Sequence, residues 1–123
     1  MYEILVVTGF SAAHSLRDYE GECAKVHGHN WRVRVTVGAE EAGDNGIAID
    51  FRDLKRLTNE VLARLDHTYI NEVEPFVTIN PTSENIARWL YEELDPKLSS
   101  FSVRLVRVDV QENESSCVSF FPG

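Results

Sequence analysis

The chain has 123 residues, 43% of them hydrophobic and 26% charged, with 12 Lys and Arg against 20 Asp and Glu and a formal net charge of -8. That is the composition of one ordinary globular domain with a single core, residues 1–123, and it argues against a nucleic-acid partner, because gripping a phosphate backbone needs a basic face. The longest aliphatic run near the start, Ile4 to Val7, is too short for a signal segment or membrane span. The expected location is therefore the cytoplasm, where Cys23 and Cys117 are two reduced thiols with separate roles.

In chain order, Tyr2 to Phe10 reads as a first strand, and the apolar alternation through Ile4, Val6 and Thr8 carries on to His14, which could end a neighbouring strand. Trp31, Val33, Val35 and Val37 alternate with Arg32, Arg34 and Thr36, a period-two pattern that predicts a second, half-buried strand. About twenty residues lie between Phe10 and Trp31 and hold all the candidate metal chemistry, longer than a hairpin turn needs. Gly43-Asp44-Asn45-Gly46 is a turn. Asp50 caps a helix whose stripe is Phe51, Leu54, Leu57, Thr58, Val61, Leu62 and Leu65. Residues 66–80 are irregular, with Asn71, Pro75 and Asn80 as breakers. Thr82 then caps a second helix with Ile86, Leu90, Leu94 and Leu98 inward, and Pro96 ends its regular part before Leu98. Val103 to Val110 and Ser116 to Phe121 are two more strands about the turn Glu112 to Ser115, and Cys117 is expected to be packed in the core. The order strand, strand, helix, helix, strand, strand gives an α+β fold: a four-stranded antiparallel sheet with both helices on one face. Its two open edges invite sheet extension with copies of the same chain, so a homo-oligomer is expected.

Three of the four histidines and one cysteine fall between His14 and His29. On an extended segment His27 and His29 project to the same side with Gly28 between them. A His-x-His pair alone is commonly a surface or packing pair; His14, placed to face the same space, makes a three-imidazole set. Imidazole suits zinc, and three histidines leave a fourth position for water or substrate. Cys23 is either a fourth ligand that closes the site or a free thiol beside the metal.

Phe10-Ser-Ala-Ala-His14, Cys23-Ala-Lys-Val-His27-Gly-His29-Asn-Trp31, Asp66-His67, Pro81-Thr82-Ser83-Glu84-Asn85 and Glu112 resemble, in order and spacing, the family of 6-pyruvoyltetrahydropterin and 6-carboxytetrahydropterin synthases. The resemblance covers nearly the whole chain. It implies the tunnelling fold, in which trimers of four-stranded subunits close a twelve-stranded barrel and two trimers stack into a hexamer. It also implies zinc held by His14, His27 and His29, with Cys23 as proton-transfer thiol and Asp66 and His67 completing a relay. Glu112 would anchor the pterin ring, assisted by Thr82, Ser83 and Glu84. With three residues between Cys23 and His27, the chain looks like the carboxy branch of queuosine biosynthesis, which turns dihydroneopterin triphosphate into 6-carboxytetrahydropterin, triphosphate and acetaldehyde. The alternatives are the pyruvoyl reaction, which keeps the carbon skeleton, and a non-catalytic zinc-binding assembly module. Without the resemblance, Asp66-His67 reads as a helix-end pair, Glu112 as solvated, Thr82 as a cap, and Trp31 and Trp89 as core. Lys25, Arg17, Arg32 and Arg34 are the local cations available to a triphosphate.

Overall fold

The computed structural model describes residues 1–123. Strands β1 (Tyr2–His14), β2 (His27–Ala39), β3 (Arg104–Asn113) and β4 (Ser116–Phe120) form an antiparallel sheet in the order β1-β2-β3-β4. Helices α1 (Phe51–Leu62) and α2 (Ser83–Leu94) lie between β2 and β3 in the chain and pack on one sheet face. No helix is long and apolar enough to cross a membrane.

The period-two pattern becomes two unlike faces. Val6 and Phe10 of β1, Trp31, Val33, Val35 and Val37 of β2, and Leu105, Val108 and Val110 of β3 are buried toward the helices. Leu54, Leu57, Val61 and Leu62 of α1 and Ile86, Ala87, Leu90 and Leu94 of α2 complete that core. Both helix starts are built as their sequences predict: the Asp50 carboxylate accepts the N–H of Arg52 and the Thr82 hydroxyl that of Asn85. After α2 a tighter 3-10 turn, Asp95–Leu98, begins at the residue before Pro96 and keeps Leu98 in the core.

The structure corrects the reading in three places. The first strand does not end at Phe10: β1 and β2 pair over thirteen positions, from Tyr2 opposite Ala39 to His14 opposite His27, so all three histidines stand on strands and the connection is only residues 15–26. The alternation that placed Ile4, Val6 and Thr8 continues without a break, and a partner of equal length satisfies its backbone throughout. Cys117, expected in the core, is exposed. On β4 it is Val118 and Phe120 that pack against the core, and Cys117, one position out of phase, points the other way. Trp89 is only half-buried, with the Arg64 guanidinium 4.9 Å above its ring.

Gly9 is set by close approach, because a Cβ there would stand 2.4 Å from the Trp31 carbonyl oxygen. Gly28 is not: a Cβ would meet only the Ala12 carbonyl oxygen, at 3.8 Å. Near its C-terminal end the free edge of β1 is covered by residues 67–69. His67 N–H donates to the Ser11 carbonyl and Ala13 N–H to the Thr68 carbonyl. Tyr2 to Gly9 have no partner on that edge.

Candidate metal centre

The pleat that buries Val35 and Val33 also carries Trp31, His29 and His27, at two-residue steps on the same face of β2. His14 joins them across the ladder, since it pairs with His27 at the end of β1. The three imidazoles meet edge to face, with ring centroids 4.6 Å (His14–His27), 5.4 Å (His14–His29) and 4.9 Å (His27–His29) apart. One nitrogen from each lies within 4.8 Å of the others. Trp31 is the floor: its ring meets His14 and His29 edge-on at 4.9 and 5.2 Å, stacks on Phe10, and its indole N–H donates to the Ala12 carbonyl.

Two backbone carbonyls orient two of the imidazoles. His14 Nδ1 lies 2.8 Å from the Pro81 carbonyl oxygen and His27 Nδ1 2.7 Å from that of Lys25. A carbonyl only accepts, so each Nδ1 carries the proton and each Nε2 presents a lone pair. The Nε2 atoms of His14 and His27 are then 3.0 Å apart, a contact that two bare lone pairs oppose and a shared cation relieves. The Nε2 of His29 is buried with no hydrogen-bond partner, a cost of about 1–3 kcal/mol that a bound cation removes. Tetrahedral zinc with Zn–N of about 2.0–2.1 Å sets ligand nitrogens about 3.3–3.4 Å apart, and the donor set, three imidazole nitrogens within 4.8 Å of one another, is of the kind that metal takes. Burial pushes His14 and His29 below the ordinary imidazole pKa. The Pro81 hydrogen bond for His14 and the Glu112 carboxylate for both pull the other way. Neutral imidazole is the ligating form.

The other predicted residues divide. Glu112 projects from β3 toward the triad, with one carboxylate oxygen 3.8 Å from His14 Nε2 and 3.7 Å from His29 Nε2. Cys23 is exposed on a 3-10 turn, Glu22–Ala24, tied in by its carbonyl, which accepts the N–H of Leu16, and its thiol is not part of the ligand cluster. Asp66 and His67 pair with each other, Oδ2 to Nδ1 3.0 Å, at the free edge of β1. Asp66 Oδ1 accepts the Ser11 N–H, the main reason its carboxyl is held below the usual carboxylate range. His67 takes the left-handed backbone (φ 59) and its side chain is 81% exposed. Thr82 caps α2 beside Pro81, Ser83 is half-buried and Glu84 exposed in the first turn.

Of the four cations, Arg17 is engaged: its guanidinium donates to the carbonyls of Phe76, Ile79 and Asn71. Arg32 and Arg34 lie on the helix-free face of β2, where Arg34 pairs with Asp109. Lys25 is exposed and pairs with Glu22. The sequence reading missed the carbonyls of Pro81 and Lys25 as orienting groups, since every residue has one and no side-chain pattern marks it.

The family model described as 6-pyruvoyl tetrahydropterin synthase matches residues 3–122. A protein of Archaeoglobus fulgidus, provisionally named 6-carboxy-5,6,7,8-tetrahydropterin synthase, is 44% identical over 109 residues, covering 89% of this chain and 88% of its own. The 6-carboxy-5,6,7,8-tetrahydropterin synthase of Bacillus subtilis is 34% identical over 116 residues, covering 90% and 70%. The dihydroneopterin monophosphate aldolase of Pyrococcus furiosus is 34% identical over 109 residues, covering 89% and 88%. Among solved structures, 6-pyruvoyl tetrahydropterin synthase of Caenorhabditis elegans superposes with a TM-score of 0.86 at 28% identity, covering 99% of this chain and 96% of that one. With a match from end to end and a sheet, helix pair and histidine cluster of the kind its motifs imply, the chain belongs to the 6-pyruvoyl tetrahydropterin synthase family.

Proposed function

We propose that this protein is a zinc-dependent 6-carboxytetrahydropterin synthase, converting 7,8-dihydroneopterin triphosphate and water to 6-carboxytetrahydropterin, triphosphate and acetaldehyde, in queuosine biosynthesis. The observation that carries the metal part is the convergence of three imidazole nitrogens around the buried, unpartnered Nε2 of His29. The carboxy product is supported by the names and identities of two relatives and by the place of Cys23 ahead of His27.

Zinc held by His14, His27 and His29 would supply Lewis-acid polarisation of the substrate's side-chain hydroxyls. The protein's own residues do the rest. Cys23, on a turn between the two ligand strands, takes and returns the side-chain carbon protons. Asp66 holds the His67 ring by its 3.0 Å contact, so the pair serves as the relay for the thiol. Glu112, with Thr82, Ser83 and Glu84 at the start of α2, holds the pterin. The position of Glu112 beside two of the metal-binding histidines brings the ring close to the ligand set. Proton shifts move electrons from the side chain into the ring, reducing its N5–C6 bond, as triphosphate leaves. Water then adds to the remaining diketone and the carbon–carbon bond breaks, giving the carboxylate and acetaldehyde. The working form is a homohexamer of two stacked trimers, for which the unpartnered edge of β1 and the edge strand β4 are the available joining surfaces. With Arg17, Arg32 and Arg34 engaged or on the far face, part of the triphosphate charge is met from outside the chain.

The deciding experiment is anaerobic incubation of the zinc-loaded protein with dihydroneopterin triphosphate, with products resolved by mass. A carboxylated tetrahydropterin with acetaldehyde is expected. A pyruvoyl product without acetaldehyde moves the chain to the sister reaction, and intact substrate with zinc bound leaves an assembly module. Turnover of the monophosphate by aldol cleavage alone assigns it to the reaction named for the Pyrococcus relative.

A further inference from the structure

Beyond His14 the chain leaves the sheet, yet its polar backbone groups stay paired as if a strand continued. Asn71 Oδ1 accepts the Ser15 N–H at 2.9 Å and its Nδ2 donates to the Ser15 carbonyl at 2.9 Å. Two residues on, Asn80 repeats the arrangement with Arg17, accepting its N–H at 2.8 Å and donating to its carbonyl at 3.1 Å. A primary amide carries one acceptor and donors in the same plane, so it copies a peptide group and can bond both sides of one residue. The Arg17 guanidinium reinforces the seam through the carbonyls of Phe76 and Ile79.

Asn80 differs from Asn71 in what it adjoins. Its own carbonyl accepts from the Thr82 N–H (2.8 Å) and the Asn85 side-chain amide (2.9 Å), so the peptides on both sides of Pro81 are fixed. The Pro81 carbonyl is the group that receives His14 Nδ1, and both residues are buried. His14 is thus gripped at two points that Asn80 connects: forward along its own chain at Arg17, and across space at Pro81.

We infer that Asn80 is a positioning residue of the metal site: by joining the Arg17 backbone to the Pro81 carbonyl, it aims His14 Nε2 at His27 and His29. It touches neither metal nor substrate and acts through His14. The inference rests on the zinc reading above. Groups that orient a ligating histidine usually contribute tenfold to a hundredfold in metal affinity.

The test uses the full chain, with zinc affinity measured by competition against a chromophoric chelator and ligand geometry by the visible spectrum of the cobalt(II)-substituted protein. Asn80→Ala removes both side-chain bonds; its zinc affinity should fall about tenfold to a hundredfold and its cobalt bands should shift. Asn80→Asp keeps the acceptor for the Arg17 N–H, so its loss should be smaller and in the same direction. Tyr91→Phe removes a hydrogen bond to the Leu105 carbonyl, between α2 and β3, and serves as the control: it should lower thermal stability with wild-type affinity and spectrum. Wild-type affinity and spectrum in Asn80→Ala, with only a lowered Tm, would overturn the inference, and so would an equal affinity loss in Tyr91→Phe. Should Asn80→Ala fail to fold, unchanged affinity and spectrum in Asn80→Asp overturn it equally. A wild-type chain that takes up no zinc is a different result and removes the metal reading itself.

Discussion

On the helix-facing side of β1, His14 joins two other histidines in a recess floored by Trp31; on the free edge of the same strand, Asp66 and His67 form a pair open to solvent. The first cluster draws its three imidazoles from one chain. Three ring nitrogens converge, His14 and His27 give Nδ1 to backbone carbonyls, and burial shifts His14 and His29 toward the neutral form. The second is fixed to β1 through Ser11, but the His67 side chain faces outward at 81% exposure. In the proposed roles, holding a metal and moving a proton make different demands. Ligands work when converged and shielded, whereas a proton relay must keep a path to the group it serves.

The largest effect is expected at the triad. His27→Ala or His29→Ala takes away one of three ligands, and both zinc content and turnover should disappear, as read by metal analysis of the purified protein alongside product formation. Full zinc occupancy in both variants would show that the convergence does not hold metal. Cys23→Ala sharpens the contrast from the other side. Zinc and substrate binding should be retained while the rate falls on the order of a hundred- to ten-thousand-fold, the usual reach of general acid–base help. Loss of zinc together with stability would instead make the thiol a ligand.

The smallest expected effect is in pH dependence. His14 and His29 sit below the ordinary imidazole value of about 6.5 in the folded chain because burial disfavours the charged ring. In the metal-free protein the unfolded chain therefore takes up protons first. The stabilising contribution is whole above pH 6.5 and is lost as pH falls through that value toward the lowered folded-state pKa values. Urea midpoints in the presence of chelator, compared at pH values on either side of that point, should decrease on the acid side. His29→Gln should flatten the response. A slope of the opposite sign would mean the imidazoles are held protonated, as the nearby Glu112 carboxylate favours.

Much of the site was legible in the residues because strand geometry is short-range. His27 and His29 share a face through a period of two, and Val33, Val35 and Val37 fix that face as the buried one. Thr82 was readable as a cap because the Ser83–Leu94 helix leaves N–H groups that a hydroxyl one residue ahead can accept. Cys117 was misread for the opposite reason: β4 is five residues long and sits at an edge, so its phase depends on the register with β3 and little on its own composition.

The element order, the apolar faces of β1, β2 and both helices, and the set of imidazoles follow from local periodicity and side-chain chemistry. Tertiary structure alone decided that His14 stands opposite His27, through a ladder joining residues thirteen apart. It alone decided that Pro81 orients His14 from sixty-seven residues away and that Glu112 comes to the triad from β3. It also engaged Arg17 with the carbonyls of distant residues. These are through-space contacts between distant segments, set by sheet register and helix packing, and a backbone carbonyl or a common arginine carries no mark in the sequence of the partner it will meet.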